Sequence, residues 1–266
     1  MLKIAVIGCG AISQAVLQEL ARDGAVEVAA VVVRPESLAE ARAKVRDLAP
    51  RAEVCTELPQ RPFDLVVEAA GHAAIEQHVV PALSRGVPCV IVSIGALAAP
   101  GVAERLERAA RAGSAQVRLI SGAIGALDAL AAARQGGLDT VTYTGCKPPH
   151  AWEGLPAANL PRLADLREPE TIFEGSAREA CALFPKNANV AAAISIAGVG
   201  MEATRVRLVA DPSIRENAHK VHACGDFGEL ELVMRNKALA SNPKTSLLTV
   251  FSVLRAVRSR LDPVLI

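Results

Sequence analysis

Residues 2–34 read LKIAVIGCGAISQAVLQELARDGAVEVAAVVVR. Leu2 to Ile7 is a largely apolar run that predicts a strand, and Gly8-Cys9-Gly10-Ala11-Ile12-Ser13 then opens a helical pattern through Leu20. A second apolar run, Val26 to Val33, ends at Arg34. Strand, glycine turn, helix and strand in that order form the opening of a dinucleotide-binding βαβ unit. Gly8 permits the tight turn, and Gly10, with no Cβ, lets a pyrophosphate approach the backbone and the helix N-terminus. Gly8, Gly10, Ala11 and Ile12 are therefore the expected cofactor-binding loop, with Ser13 as the third small position. The competing reading is a tight turn that holds no ligand. The second strand lacks the acid that would bind a ribose 2′-hydroxyl, and Arg34 stands in its place. An arginine there pairs with a 2′-phosphate or stacks on adenine, so NADP is expected to be accepted and NAD is not excluded. The plainer reading of Arg34 is a solvated charge at a strand end.

At 266 residues, the chain suits one large or two modest domains, and its 51% hydrophobic content is ample for a packed core. A net charge of +1 points to neither nucleic acid nor a membrane surface, and with 3% aromatic residues a base-stacking platform is not expected. The N-terminal apolar stretch is short and broken by Gly8 and Gly10, so a signal peptide is not expected, and neither is a bilayer-spanning segment. The cysteines, at positions 9, 55, 89, 146, 181 and 224, show no CxxC spacing, which fits reduced thiols in a cytoplasmic protein.

The first half alternates between apolar strands and helical patterns. Strands are expected at Ala52 to Cys55, Asp64 to Glu68, Pro88 to Val92 and Gln116 to Ile120, and helices at Leu38 to Leu48, Ile75 to Leu83 and Val102 to Ala112. The fold class is α/β, a doubly wound parallel sheet of the Rossmann type. Its strand ends carry Gly8–Ser13, Arg34, Ala69–His72, Ser93–Gly95 and Ser121–Gly125, where ligands of such sheets bind. Ala70 and His72 join the expected cofactor contacts on this ground. The second half loses the alternation. A helix is expected at Ala123 to Arg134, a strand at Leu138 to Cys146, a loop over 151–170, helices at Ser176 to Leu183 and Asn189 to Ala197, and a strand at Ala203 to Ala210. A hairpin around Gly225–Gly228 and a final helix from Lys244 to Leu261 complete it. This is an α+β pattern. The expected boundaries are 1–121 for the dinucleotide-binding domain, 122–241 for the substrate domain and 242–266 for a C-terminal helix packing back on the first domain.

Polar residues of the second half cluster at element ends: Thr144 to Lys147, Lys186 to Asn189, Asn217 to His219, and Asn242 to Thr245. Thr144, Lys147, Lys186, Asn187, Lys244 and Thr245 are donors of the kind that would hold a substrate with carboxylates. The alternative for each cluster is ordinary capping, with Asn189 as a helix N-cap and Asn242 and Thr245 near another. His219 is the candidate general acid/base, because histidine titrates near neutrality. A strand histidine satisfied by backbone bonds is the alternative. His222 and Cys224 are expected on one strand face and His219 on the other, so the three are not expected to share a metal ion.

These motifs resemble the L-aspartate dehydrogenase family from end to end. The resemblance is carried by IAVIGCGAIS, the EAAGH strand end, SIGAL, SGAIGALDAL, the CKPP loop, FPKNANVAAA, ENAHKVHACGDFGEL and NPKTS. It implies NAD(P)-dependent oxidation of L-aspartate to iminoaspartate, which hydrolyses to oxaloacetate and ammonia or feeds de novo NAD synthesis. It places His219 on the family's active-site histidine, and Ala123 and Asn189 on family cofactor contacts. It further implies an α/β substrate domain used for dimerisation, hence a homodimer. In that chemistry His219 would accept the ammonium proton and then activate water. The alternatives are a dehydrogenase or reductase for another small amino acid or dicarboxylate, and a non-enzymatic NAD(P) sensor.

Overall fold

The alternating first half folds into a six-stranded sheet of order β3-β2-β1-β4-β5-β6, every pair parallel. The strands are β1 (Leu2–Ile7), β2 (Val26–Val32), β3 (Glu53–Cys55), β4 (Leu65–Glu68), β5 (Cys89–Ile91) and β6 (Val117–Leu119). Between them run α1 (Ala11–Leu20), α2 (Leu38–Leu48), α3 (His72–Ala74), α4 (Val80–Ser84) and α5 (Val102–Ala112). The computed structural model describes residues 1–152, 163–185 and 188–265. The chain order reverses between β1 and β4, which makes their carboxyl ends the switch point of the sheet. Both faces are covered, so the strands are near-continuous apolar runs: Ile4, Ala5, Val6, Ala30, Val31, Val32 and Val66 are fully buried.

Instead of one regular helix over Ile75 to Leu83, the structure has a π turn, Ile75–Val79, joining α3 to α4. Pro81 has no N–H to give to the preceding turn, and the wider turn accommodates that loss.

The chain divides into two compact units, Met1–Gly122 with Thr249–Ile266, and Ala123–Leu248. The second unit is built on a five-stranded sheet of order β11-β10-β7-β9-β8. Its strands are β7 (Leu138–Lys147), β8 (Glu170–Ser176), β9 (Arg205–Ala210), β10 (Asn217–Gly225) and β11 (Gly228–Asn236). Helices α6 (Leu127–Gly136), α7 (Ala177–Leu183) and α8 (Asn189–Ala197) pack against it. β8 was not expected from sequence: it is a half-exposed edge strand whose acidic and small residues mask the alternation.

Two expected helices begin late, for tertiary and local reasons respectively. Residues 123–126 form a turn rather than helix, because Asn236 Nδ2 donates to the Ala123 carbonyl at 2.6 Å and the Gly125 N–H points to Met234 Sδ at 3.0 Å. Residues 242–246 form β13 (Asn242–Ser246), paired with β12 (Ala238–Leu239), and the last helix is α9 (Leu247–Arg258). The Asn242 side chain accepts from the Lys244 N–H and donates to Thr245 Oγ1, a local network that competes with helix. Asn242 and Thr245 are thus hydrogen-bonded partners within β13 and not helix caps. No described helix is long and apolar enough to cross a membrane.

The switch point is organised by Glu68, the last residue of β4 and fully buried. Its carboxylate accepts from the Ala70 and Gly71 N–H groups at 2.8 and 2.9 Å and from the Ser93 N–H and hydroxyl at 3.1 and 2.8 Å. Removing it strands four donors that folding has taken out of water. Glu68→Ala is expected to destabilise the protein by roughly 2–4 kcal/mol, read as a lower midpoint in urea denaturation. A change below about 0.5 kcal/mol would show the network to be dispensable.

Candidate active site

In the first unit the glycine turn meets the end of β4. Gly8 has φ +101°, and a Cβ built on it would lie 2.7 Å from the Ala69 carbonyl oxygen, so only glycine fits between the two neighbouring strands. A Cβ on Gly10 would meet nothing within 4 Å, which leaves open space directly in front of α1. No side chain caps α1 and no acid stands in its first turn, so its leading N–H groups and its dipole are available to an anion. This cradle fits a dinucleotide pyrophosphate held by Gly8, Gly10, Ala11 and Ile12. Ser13 is buried against the sheet, as the third small position requires.

Ala70 and His72 border the same crevice, but the Ala70 and Gly71 N–H groups turn inward to Glu68. The Ala70 and Gly71 N–H groups are thereby already engaged within the protein. His72 is half-buried, and burial lowers its pKa against the opposing pull of Glu68. Arg34 follows β2 on the surface and pairs with Glu36 at 3.2 Å.

In the second unit one face of the sheet gathers the chemistry. The antiparallel register of β7 and β10 sets His219 opposite Gly145, and alternation puts Tyr143, Gly145 and Lys147 on that same face. His219 is 3% exposed, Lys147 5% and Tyr143 1%. Tyr143 Oη lies 2.8 Å from His219 Nδ1, with the rings stacked at 15°. His219 Nε2 is buried and has no hydrogen-bond partner among the described residues. The Lys147 ammonium sits 5.1 Å over the ring of Trp152, which is fully buried and donates Nε1–H to the Val209 carbonyl.

Burial, reinforced by the Lys147 charge, pushes His219 down to about 3, so it is neutral at neutral pH. Burial, reinforced by Lys244, pushes Lys147 down to about 8. Burial also raises the Tyr143 pKa, so its hydroxyl keeps its proton.

The other expected site residues divide. Ala123 is buried, and its carbonyl is tied to β11, the strand beside β10. Lys244 is exposed on β13 and acts electrostatically on Lys147. Thr245 is engaged by Asn242. Asn189 begins α8 as its first helical residue, with Ala188 in the cap position, so it is not the N-cap. Thr144 lies on the opposite face of β7, level with Lys220 and Arg207, and is not brought to His219. Lys186 and Asn187 lie outside the described residues. The face opposite His219 carries His222, Cys224 and Glu229, each offering one ligand atom within 4.8 Å of the others. Glu68, Tyr143, Gly145 and Trp152 were not singled out in the sequence. Only the i, i+4 spacing of Tyr143 and Lys147 on a strand hinted at a shared face.

A doubly wound sheet with an anion cradle at its switch point, joined to an α+β unit holding buried titratable side chains, is the organisation of a nicotinamide-dependent dehydrogenase. Residues 8–119 match the family described as "Homoserine dehydrogenase, NAD binding domain", and residues 128–260 match "Aspartate dehydrogenase, C-terminal". The chain is 58% identical to an L-aspartate dehydrogenase of Cupriavidus taiwanensis and to one of Ralstonia pickettii, over 98% of each chain in both cases. It is similar to the crystal structure of aspartate dehydrogenase from Thermotoga maritima, with a TM-score of 0.77 and 28% identity, covering 100% of this chain and 99% of that one. The chain belongs to the L-aspartate dehydrogenase family.

Two measurements follow from this geometry. If Arg34 reaches the 2′-phosphate, Arg34→Asp weakens NADPH binding by on the order of 1–3 kcal/mol more than NADH binding, the worth of charge-assisted hydrogen bonds. Equal effects on both cofactors in fluorescence titrations would place Arg34 away from the adenosine ribose. His219 bears on acid stability. Its folded pKa of about 3 lies below the ordinary value of 6.5, so between these values the unfolded chain binds the extra proton and stability falls as pH falls. His219→Gln is expected to flatten the stability-versus-pH slope in that window by up to about 1.4 kcal/mol per pH unit. Parallel curves for the two proteins in urea melts would refute a neutral buried histidine.

Proposed function

We propose that this enzyme oxidises L-aspartate at the active-site face of its second unit, with NAD or NADP as hydride acceptor. The reaction gives iminoaspartate, which hydrolyses to oxaloacetate and ammonia or enters de novo NAD synthesis. The observation that carries the reading is the buried His219 Nε2, partnerless among the described residues, on a face that also carries the buried Lys147 ammonium. A buried donor without a partner is costly, and a substrate that supplies the missing acceptor recovers that cost.

Bound NAD(P)+ supplies the carbon that accepts hydride from Cα; the protein supplies orientation and proton handling. Gly8 to Ile12 would hold the pyrophosphate, with Ala70, His72, Ala123 and Asn189 as further cofactor contacts. Lys147 and Lys244, whose charge disfavours the ammonium form of Lys147, form a local positive field matched to a dicarboxylate. Lys186, Asn187 and Thr245 complete the proposed substrate set, and Thr144 leaves it.

The homodimer proposed from the family resemblance would use the sheet face opposite His219, where Val233 is 41% exposed. The free thiols suit the cytoplasm.

L-Aspartate is expected to exceed L-alanine by at least about 100-fold in kcat/KM, because alanine has no second carboxylate to interact with the positive field of Lys147 and Lys244. NAD(P)H formation across a panel of amino acids measures this, and comparable rates for the two would sink the dicarboxylate reading. Sedimentation equilibrium giving a monomer at micromolar concentration would sink the dimer.

A further inference from the structure

We propose that Lys147, and not His219, takes the proton from the substrate ammonium group, while Tyr143 holds His219 as a neutral donor that presents Nε2–H to the substrate. The proposal rests on the aspartate reading above and assigns the proton chemistry within it.

The tautomer follows from the hydrogen-bond inventory. Among the described residues Tyr143 Oη has one partner, His219 Nδ1, at 2.8 Å. A phenol hydroxyl carries one hydrogen and is buried here, so its hydrogen goes to Nδ1 and Nδ1 accepts. A neutral imidazole whose Nδ1 accepts carries its own hydrogen on Nε2. The buried, partnerless Nε2 therefore has no lone pair to offer, and the one lone pair of the ring is already used. His219 in this state donates a hydrogen bond and cannot accept a proton.

Lys147 is the basic group beside it. β7 places it two residues beyond Gly145, on the face of Tyr143 and His219, with its ammonium over the Trp152 ring and nearly all of its surface out of water. Among the described residues the titratable groups around it are His219 on β10, Lys244 on β13, and Asp211, whose N–H donates to the Lys147 carbonyl. Cys146 stands beside it but faces the other way, and His150 is in the turn that follows. The apolar surroundings and Lys244 favour its neutral amine at mildly alkaline pH, where His219 has long been neutral.

The Lys147 Nζ lone pair takes one proton from the substrate –NH3+, which leaves a neutral amine and a Lys147 ammonium. The amine lone pair then forms C=N as the Cα–H bond breaks, and that bond's electron pair leaves with the hydrogen as hydride to NAD(P)+. The amino acid loses two electrons, the nicotinamide gains them, and the product is the protonated imine. Throughout, His219 Nε2–H bonds a substrate oxygen and fixes the orientation of Cα.

The test is the pH dependence of kcat/KM for L-aspartate between about pH 6 and 10, with NADH binding checked in each variant as a measure of folding. The wild type is expected to rise through an apparent pKa of about 8, the free-enzyme value of the base. Lys147→Met should lose that limb and roughly 10²–10⁴-fold in kcat, with partial rescue by added small primary amines in proportion to their free-base concentration. Lys147→Arg keeps the positive charge but cannot deprotonate, so KM should change little while kcat collapses. His219→Gln and Tyr143→Phe should lower kcat yet keep the limb near 8. His222→Ala, on the opposite face, should leave the profile unchanged.

An active wild type whose limb survives in Lys147→Met, or disappears in His219→Gln, overturns the assignment of the proton acceptor. So does a Lys147→Arg variant that keeps most of its kcat. A wild type that reduces neither NAD nor NADP with L-aspartate overturns the aspartate reading itself, which is a different result from any of these.

Discussion

The carboxylate of Glu68 is the constraint on which the dinucleotide-binding unit turns. β1, β4 and β5 end side by side at the switch point, where each strand must stop and turn without leaving backbone donors stranded in a buried crevice. Glu68 accepts from two N–H groups of its own following loop and from both donors of Ser93, at the end of the next strand. Four donors on one buried carboxyl group hold two loops at fixed positions. The Ala69 carbonyl is thereby presented so close to Gly8 that no Cβ fits between them. Glycine at position 8 is thus demanded from behind, by the loop that Glu68 holds in place.

An equivalent constraint operates at Gly145 in the second unit. A Cβ there would lie 2.7 Å from the Tyr143 hydroxyl, and the backbone at this position is ordinary extended strand. What glycine provides is room. Tyr143 lies across its own strand, over Gly145, to reach the histidine on the neighbouring strand. The three residues Tyr143, Gly145 and Lys147, alternating along β7, make one functional unit with His219. Strand periodicity specifies it completely once the register of β7 against β10 is known.

That dependence on register explains what was legible in the sequence and what was not. The glycine turn, the alternating strands and the doubly wound order are local patterns, written in runs of apolar residues and in the spacing of Gly8 and Gly10. His219 was legible through its resemblance to a family motif, since composition and periodicity give a strand histidine no special standing. Tyr143 and Glu68 were not legible, because their partners are 76 and 25 residues away, and nothing in the chain marks which strand will lie beside which. Thr144 was misplaced for the same reason. Its chemistry suits a carboxylate, but the strand alternation turns it to the opposite face from Lys147. The turn at Ala123 and the strand at Asn242 show the remaining gap: helical patterns were present there, and hydrogen bonds to Asn236 in one case and within the Asn242 side-chain network in the other override them.

The same burial acts on His219 and Lys147 in the same direction, and this is why their roles separate. Removal from water disfavours the charged form of both bases. It takes a histidine from near neutrality to a value where it never titrates in use, and a lysine from far above neutrality to within reach of it. A water-filled site would reverse the assignment, with the imidazole as the base and the ammonium permanently charged. The arriving substrate then completes the design. A dicarboxylate brings negative charge next to Lys147, which favours the protonated amine, and the proton nearest to hand is on the substrate's own nitrogen. Binding of the correct dicarboxylate, its ammonium group still protonated, would itself drive the proton transfer that readies Cα to release hydride. A monocarboxylate of the same shape would supply less of that field and so react more slowly, even when bound.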